Sequence, residues 1–581
     1  MTTLTKETSR ANMFYLVAIL LFVSSYGAAN GQRDGSVVVT VSGQVRGTTT
    51  HTTDLPDKPI YTFLGIPYAA PPVGELRYRP PQPALPWEGV REAVEYGSYC
   101  PQNLVFLNGI DLDFPMEFGE NMTMSEDCLT VNVFTPTVAE DAALPVLLWI
   151  HGGTLISGMG SPPGWEALAA HQDVVVVSIN YRLGVLGFLS TGDENMPGNY
   201  GLLDQVRAME WVKENIRNFG GDPERVTLFG QSAGGVSISY HLLSPLSKGL
   251  FQRAISQSGT WKTFPVNPQP LPLTKIIAEA AGCVAVDTTT IATCLKEKSA
   301  EELLESFDSL VFGLGQMLYL VPVVDGTFLS TDPADLMKKG EINTVDYLLG
   351  INNQEVGWLG LSNFIKGDLR VGISQEEFVK LVRTGTLMAY QGNPNLDEIV
   401  ETVVSEYKPP TTPDDPLAIL HQFSQMNGDS MMIGPTMLVA EKHAHAGTRV
   451  FLYENQYRPS IHPNRPDWVG CDHGDDLFMI WGLPFLKGPV KVLNYTKEDK
   501  EFSLNMMAYW ANFARTGDPS DSTGGPTDSP SLPTWPQYTP DNPVYMKLDV
   551  VPTTDVGLKP DKVKLWNEVI PQMGTVKKDE L

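Results

Sequence analysis

The pentapeptide Gly230-Gln231-Ser232-Ala233-Gly234 follows directly on residues 226–229, a run with β-strand character, and precedes small residues able to start a helix. A strand that runs straight into a helix admits few folds, because the chain must turn sharply within a few residues. The glycines two places before and after the serine keep that turn free of Cβ atoms that would obstruct it. Such a junction holds a serine hydroxyl clear of its neighbours, where a base can reach and activate it. Alone, the pentapeptide would equally describe a glycine-rich turn with an incidental serine. Its place between strand and helix points to Ser232 as a nucleophile.

The segments around it alternate in the way a mostly parallel sheet requires. Residues 146–150 form an apolar run ending at His151-Gly152-Gly153, and 174–179 form a second, β-branched run without polar alternation. Both read as strands buried on both faces. Leu202, Val206, Met209, Val212 and Ile216 recur at helical spacing ahead of Gly220-Gly221, and further strands are expected at 347–349 and 450–453. The fold class expected is α/β, an α/β-hydrolase fold with a central sheet flanked by helices. No repeat and no linker divides the chain, so 32–577 is expected to form a single domain. Its one biased stretch, 517–536, is dense in Pro, Ser, Thr, Gly and Asp; it lies between helix-like 502–514 and strand-like 544–548 and reads as an exposed loop.

Acyl transfer needs hydrogen-bond donors aimed at the oxyanion, and the strand ending at Ile150 delivers His151-Gly152-Gly153-Thr154 to the same sheet edge as the serine. The amides of Gly153, Thr154 and Ala233 then make a three-donor oxyanion hole, with a plain glycine turn as the alternative. In this fold an acid and then a histidine follow the serine along the chain. Of nine histidines, His473 lies in the polar, glycine-flanked run Gly470-Cys471-Asp472-His473-Gly474 and suits the general base. His443 and His445 lie in a surface-like run, and no cluster of further Cys or His ligands accompanies them to make a metal site. Glu355 follows the strand at 347–349, where a carboxylate is placed to work, although on the residues alone it is one acid among many. No metal or organic cofactor is implied.

Lys6 and Arg10 precede an apolar run at 13–23 and a small-residue stretch at 27–31, so 1–31 reads as a signal peptide cleaved near Ala29 or Gly31. That run is about half the ~20 residues needed to cross a bilayer, and no later stretch is longer, so no membrane span is expected. The last four residues, Lys578-Asp579-Glu580-Leu581, read as a retrieval signal, which implies a KDEL-type receptor as partner and the endoplasmic reticulum lumen as location. Five cysteines suit an oxidising compartment and leave one unpaired. The spacing of Cys283 and Cys294 suggests a loop staple of roughly 3 kcal/mol; Cys100 with Cys128 would close a longer loop, and Cys471 could compete for any partner. Asn121 and Asn494 open glycosylation sequons. Against 41 Lys and Arg stand 67 Asp and Glu, a net charge of −26 that repels phosphate backbones and disfavours nucleic acid as a partner.

By these residues the chain resembles the type-B carboxylesterase and cholinesterase family, and within it the liver-type carboxylesterases of the endoplasmic reticulum lumen. The resemblance covers nearly the whole mature chain. It is carried by Phe63-Leu64-Gly65-Ile66-Pro67-Tyr68-Ala69, Ser125-Glu126-Asp127-Cys128-Leu129, Gly198-Asn199-Tyr200-Gly201-Leu202 with Asp204-Gln205, Phe219-Gly220-Gly221-Asp222-Pro223, and the serine motif. It implies a Ser–Glu–His triad at Ser232, Glu355 and His473, disulfides Cys100–Cys128 and Cys283–Cys294 with Cys471 free, and a supporting role for Ser258. The activity it implies is hydrolysis of small carboxylic esters, with thioesters and amides as further substrates; it leaves room for a homo-oligomer.

Three departures stand out. Thr154 replaces the usual glycine or alanine and is expected to crowd the acyl side. Gln231 replaces the usual glutamate before the nucleophile, as in insect juvenile hormone esterases. No tryptophan lies between Cys100 and Cys128 to bind choline, which disfavours a choline ester specialist. The alternative to an enzyme is a non-catalytic adhesion protein of the neuroligin or thyroglobulin kind, and the retained triad residues argue against it.

Overall fold

The structure is a computed structural model; it describes residues 36–103, 123–314, 320–362, 364–365, 367–390, 392–462, 465–486 and 494–574. The expected signal segment 1–31, Asn121 and the tetrapeptide 578–581 lie outside them.

The strands are β1 (Val37–Thr40), β2 (Gly43–Arg46), β3 (Thr48–Thr50), β4 (Ile60–Pro67), β5 (Val90–Glu92), β6 (Thr130–Thr135), β7 (Leu144–Ile150), β8 (Val175–Ile179), β9 (Gly221–Gln231), β10 (Arg253–Gln257), β11 (Asp346–Asn352), β12 (Val450–Asn455), β13 (Val544–Leu548) and β14 (Thr553–Val556). Eleven of them form one sheet in the order β14-β13-β12-β11-β10-β9-β7-β8-β6-β4-β3, and β1, β2 and β5 form a small second sheet. The block from β8 to β13 is parallel, with antiparallel strands at both margins.

Alternation along β7 shows why its sequence is apolar without a break. Val146, Leu148 and Ile150 enter one core while Leu147 and Trp149 enter the other. A strand covered by helices on both faces has no polar side to display. The helices that matter here are α1 (Trp165–Gln172), α2 (Tyr200–Asn215), α3 (Ala233–His241), α4 (Gln375–Ala389), α5 (Leu396–Glu406), α6 (Pro416–Gly428), α7 (Gly434–His445), α8 (Asp475–Ile480) and α9 (Lys497–Thr516). Leu202, Met209 and Val236 bring α2 and α3 onto the first face, and Trp165, Met506 and Trp510 bring α1 and α9 onto the second. Phe378, Val400 and Phe423 join α4, α5 and α6 in a third apolar cluster of their own. Arg182 and Asp204 form a buried bidentate pair, Nε to Oδ2 at 2.7 Å and Nη2 to Oδ1 at 2.6 Å, which ties α2 to the chain after β8.

The disulfides Cys100–Cys128 and Cys283–Cys294 are formed, and Cys471 is free and buried. Asn494 is exposed just ahead of α9, whose first turn is capped by Thr496 with Asp499. Two expectations need correction. His443 is not on the surface: it is fully buried in α7, packed edge-on to Tyr347, because the helix turns that side toward β11. The stretch 517–536 is only partly an exposed loop, since Trp535 is buried in the second core and donates through Nε1 to the Leu452 carbonyl at 3.1 Å.

Candidate active site

The register of the parallel strands brings their C-terminal ends to one edge, with Ile150 opposite Gly230, Gln257 opposite Gln231, and Asn352 opposite Asn455. Ser232 stands between β9 and α3 with φ 57° and ψ −126°, a conformation whose cost is about 1–3 kcal/mol for a non-glycine residue. Neighbouring structure holds it there. Its N–H donates to the Gln257 carbonyl at 2.8 Å, and its own carbonyl accepts from Val236 N at 2.9 Å. The flanking glycines are required by close approach: a Cβ on Gly234 would lie 2.0 Å from the Ile150 carbonyl oxygen, and one on Gly230 would lie 2.5 Å from it.

Glu355 and His473 meet at the same edge. The imidazole Nδ1–H donates to Glu355 Oε2 at 2.6 Å, and the other carboxylate oxygen accepts the Asn352 amide at 2.7 Å. The Glu355 side chain is fully buried while that of His473 keeps 20% exposure, enough to face an entering molecule. Burial pulls the imidazole pKa down, but the hydrogen bond and charge of Glu355 outweigh it, and the result lies above the ordinary 6.5. The loops carrying the two residues are stitched together. Gln354 N donates to the Cys471 carbonyl at 3.0 Å, Cys471 N to Asn353 Oδ1 at 2.9 Å, and Gly357 N and His473 N both to Asp472 Oδ1 at 2.8 Å.

The third component is the turn after β7. Gly153, Thr154 and Leu155 are left-handed in succession, with φ 107°, 54° and 63°. The Gly153 carbonyl is taken by the amides of Ile156 at 3.1 Å and Ser157 at 2.9 Å. The amides of Gly153 and Thr154 donate to no acceptor among the described residues, and Ala233 N, first in α3, has no intrahelical partner. His151 braces the turn: it stacks on Tyr181 at 4.3 Å, whose hydroxyl donates to the His151 carbonyl at 2.8 Å. Burial lowers its pKa to about 4, so the ring is neutral and can donate from Nδ1 to the Gly152 carbonyl at 2.8 Å. The Thr154 hydroxyl is buried without a partner among the described residues.

Beneath the site, Gln257 Nε2 donates to Asp476 Oδ2 at 2.6 Å and Trp510 Nε1 donates to Gln257 Oε1 at 3.2 Å. Asn352 Nδ2 adds a contact of 3.2 Å to the other oxygen of Asp476, whose pKa burial pushes up to about 6. Sequence reasoning did not find this network, although the polar cluster Asn352-Asn353-Gln354 and the acidic pair after His473 were its signal. Ser258, expected to support the triad, is buried with φ 51°, and its hydroxyl makes no hydrogen bond among the described residues; Gln257 next to it makes the connection. Cys471 accepts from Asn455 Nδ2 at 3.1 Å, and burial pushes its thiol pKa well up, so little nucleophilic thiolate forms. Gln231, singled out as a departure, places its amide nitrogen 3.2 Å from His473 Nε2.

A profile of the carboxylesterase family matches residues 34–566. The chain is 38% identical to carboxylesterase 1E of Rattus norvegicus over 95% of its own length and 97% of the relative's. It is 38% identical to the liver carboxylesterase of Sus scrofa, covering 96% and 97% of the two chains. With the medium-chain fatty acyl-CoA hydrolase precursor of Anas platyrhynchos it shares 37% identity over 94% of each.

Proposed function

Because this chain belongs to the carboxylesterase family, with its α/β-hydrolase fold, and is a serine carboxylic ester hydrolase, we propose that Ser232, Glu355 and His473 carry the reaction and that Gly153, Thr154 and Ala233 supply the oxyanion hole. The observation that carries this reading is the 2.6 Å contact of Glu355 with His473 Nδ1. It fixes the tautomer whose lone pair lies on Nε2, the form able to take a proton.

In the first half-reaction Ser232 Oγ bonds to the ester carbonyl carbon while its proton passes to His473 Nε2. The carbonyl oxygen becomes an oxyanion facing the three free amides, each worth on the order of 2–4 kcal/mol of barrier. Collapse breaks the bond to the alcohol oxygen, which leaves with the proton from Nε2. Water then repeats the sequence on the acyl-enzyme, releasing the carboxylic acid and restoring the serine. Glu355 keeps its charge and stabilises the imidazolium. Thioesters enter the same cycle with a thiol as leaving group.

The test is covalent labelling by a dialkyl phosphate probe. The expected result is one adduct per chain on Ser232, absent in Ser232→Ala; a native protein that resists the probe would sink the mechanism. We place the enzyme in the endoplasmic reticulum lumen on the apolar segment near its start and on Lys578-Asp579-Glu580-Leu581. Faster secretion of a chain lacking 578–581 is the outcome expected, and unchanged retention would refute it.

A further inference from the structure

The proton path leaves one contact unexplained. With Nδ1–H committed to Glu355, His473 Nε2 carries the lone pair that must meet the Ser232 hydroxyl, yet the group bonded to it is Gln231, whose Nε2–H donates across 3.2 Å. No hydrogen bond joins Ser232 Oγ to the imidazole among the described residues. Gln231 is the last residue of β9, buried, and opposite Gln257 in the backbone register of the neighbouring strand, so burial limits where its side chain can lie. Its amide oxygen lies on the oxyanion-loop side, 3.4 Å from where a Cβ on Gly152 would stand. One side chain therefore spans from the oxyanion turn to the base.

We propose that Gln231 is a positioning residue that latches the resting site: its amide N–H occupies the Nε2 lone pair of His473, and the Ser232 hydroxyl must displace it before acylation. This deepens the proposed function and rests on the same base. The side chain at 231 decides what the latch can do. With its oxygen on the side of the oxyanion turn, the amide meets the ring with N–H and donates to neutral Nε2, whereas a carboxylate only accepts and favours the protonated ring. Gln231 thus holds the base in its proton-accepting form while competing with the serine for it.

The other groups around the imidazole all act in the opposite sense. Glu355 after β11, Asp472 on the same loop and Asp476 at the start of α8 each favour the imidazolium, and burial opposes them. Asp475 is paired with Arg465 at 2.6 Å, and Cys471 is held as a neutral thiol. Among the described residues, Gln231 is the hydrogen-bond partner of the ring that acts with burial.

The experiment measures the pH dependence of kcat/KM for a neutral ester, together with the rate of labelling by the dialkyl phosphate, in the native enzyme, Gln231→Met and Gln231→Glu. Each preparation is normalised to titrated active sites. Loss of the donor should move the acidic limb to higher pH by about half to one unit in Gln231→Met, and further in Gln231→Glu. On the pH plateau, labelling of Gln231→Met should quicken about two- to tenfold, because the competitor is gone. An acidic limb that stays put in both variants, or a plateau labelling rate that falls in Gln231→Met, overturns the latch. If only one variant folds, its acidic limb alone decides. Failure of the native enzyme to label on Ser232 would instead overturn the proposed function.

Discussion

Replacing Glu355 by glutamine separates two things that its carboxylate does. Both oxygens accept, one from Asn352 N and one from His473 Nδ1–H, and a carboxamide has only one acceptor atom. Whichever way it turns, it presents an N–H to a donor, and the cheapest relief is for the ring to move its proton to Nε2, where it can no longer act as base. Glu355→Gln should lower kcat by about 10⁴-fold with the fold retained, checked by kinetics beside a thermal melt. The native pH profile follows from the same contact. The base works when neutral and its pKa is raised, so activity must fall as pH drops through a midpoint above 6.5. In Glu355→Gln the attraction goes while the burial stays, and the midpoint of the residual activity should move down. A native acidic limb below 6.5 would contradict the electrostatics described for this site.

The junction of β7, β9 and α3 depends on contacts that no substitution at its glycines can respect. A methyl group at 234 would meet the Ile150 carbonyl at 2.0 Å, and backbone on both sides leaves nothing flexible to give way. Gly234→Ala should therefore cost about 3 kcal/mol in urea unfolding and abolish labelling of Ser232, because α3 must draw back from the strand end. Elements of this kind were legible in the sequence: β7, β8, β11 and β12 were visible as unbroken apolar runs, and α2 as a helical period. Boundaries were less so. β9 starts at Gly221 rather than 226 because Gly221 already pairs with Leu144 of β7; residues 222–225 then bulge out of register before pairing resumes at Val226 opposite Val146, and the local pattern of that bulge shows only a turn. Of the proposed site, the placement of Ser232 and of the Gly153 turn was legible, because both are local motifs. It was not for Gln257 or Asp476, which meet across 219 residues of chain and which only the three-dimensional register brings together. His443 was misplaced for the same reason, since the polarity of a side chain says little about which way its helix faces.

At the scale of the whole molecule the dominant fact is the net charge of −26, carried by a chain whose proposed reaction needs no charged substrate. A neutral ester feels almost none of that field. An acyl-CoA thioester, the substrate class named for the Anas platyrhynchos relative, carries several phosphate charges and must approach against it. The repulsion acts over distances comparable with the Debye length, about 30 Å at 0.01 M salt and 8 Å at 0.15 M, so added salt should relieve it. With one acyl chain presented as a neutral ester and as a CoA thioester, kcat/KM for the ester should stay flat between these salt concentrations. For the thioester it should rise several-fold, through association and not through kcat. Equal salt dependence for the two would mean that the acidic surface is turned away from the entrance, and that the chain can admit anionic acyl donors as readily as neutral ones.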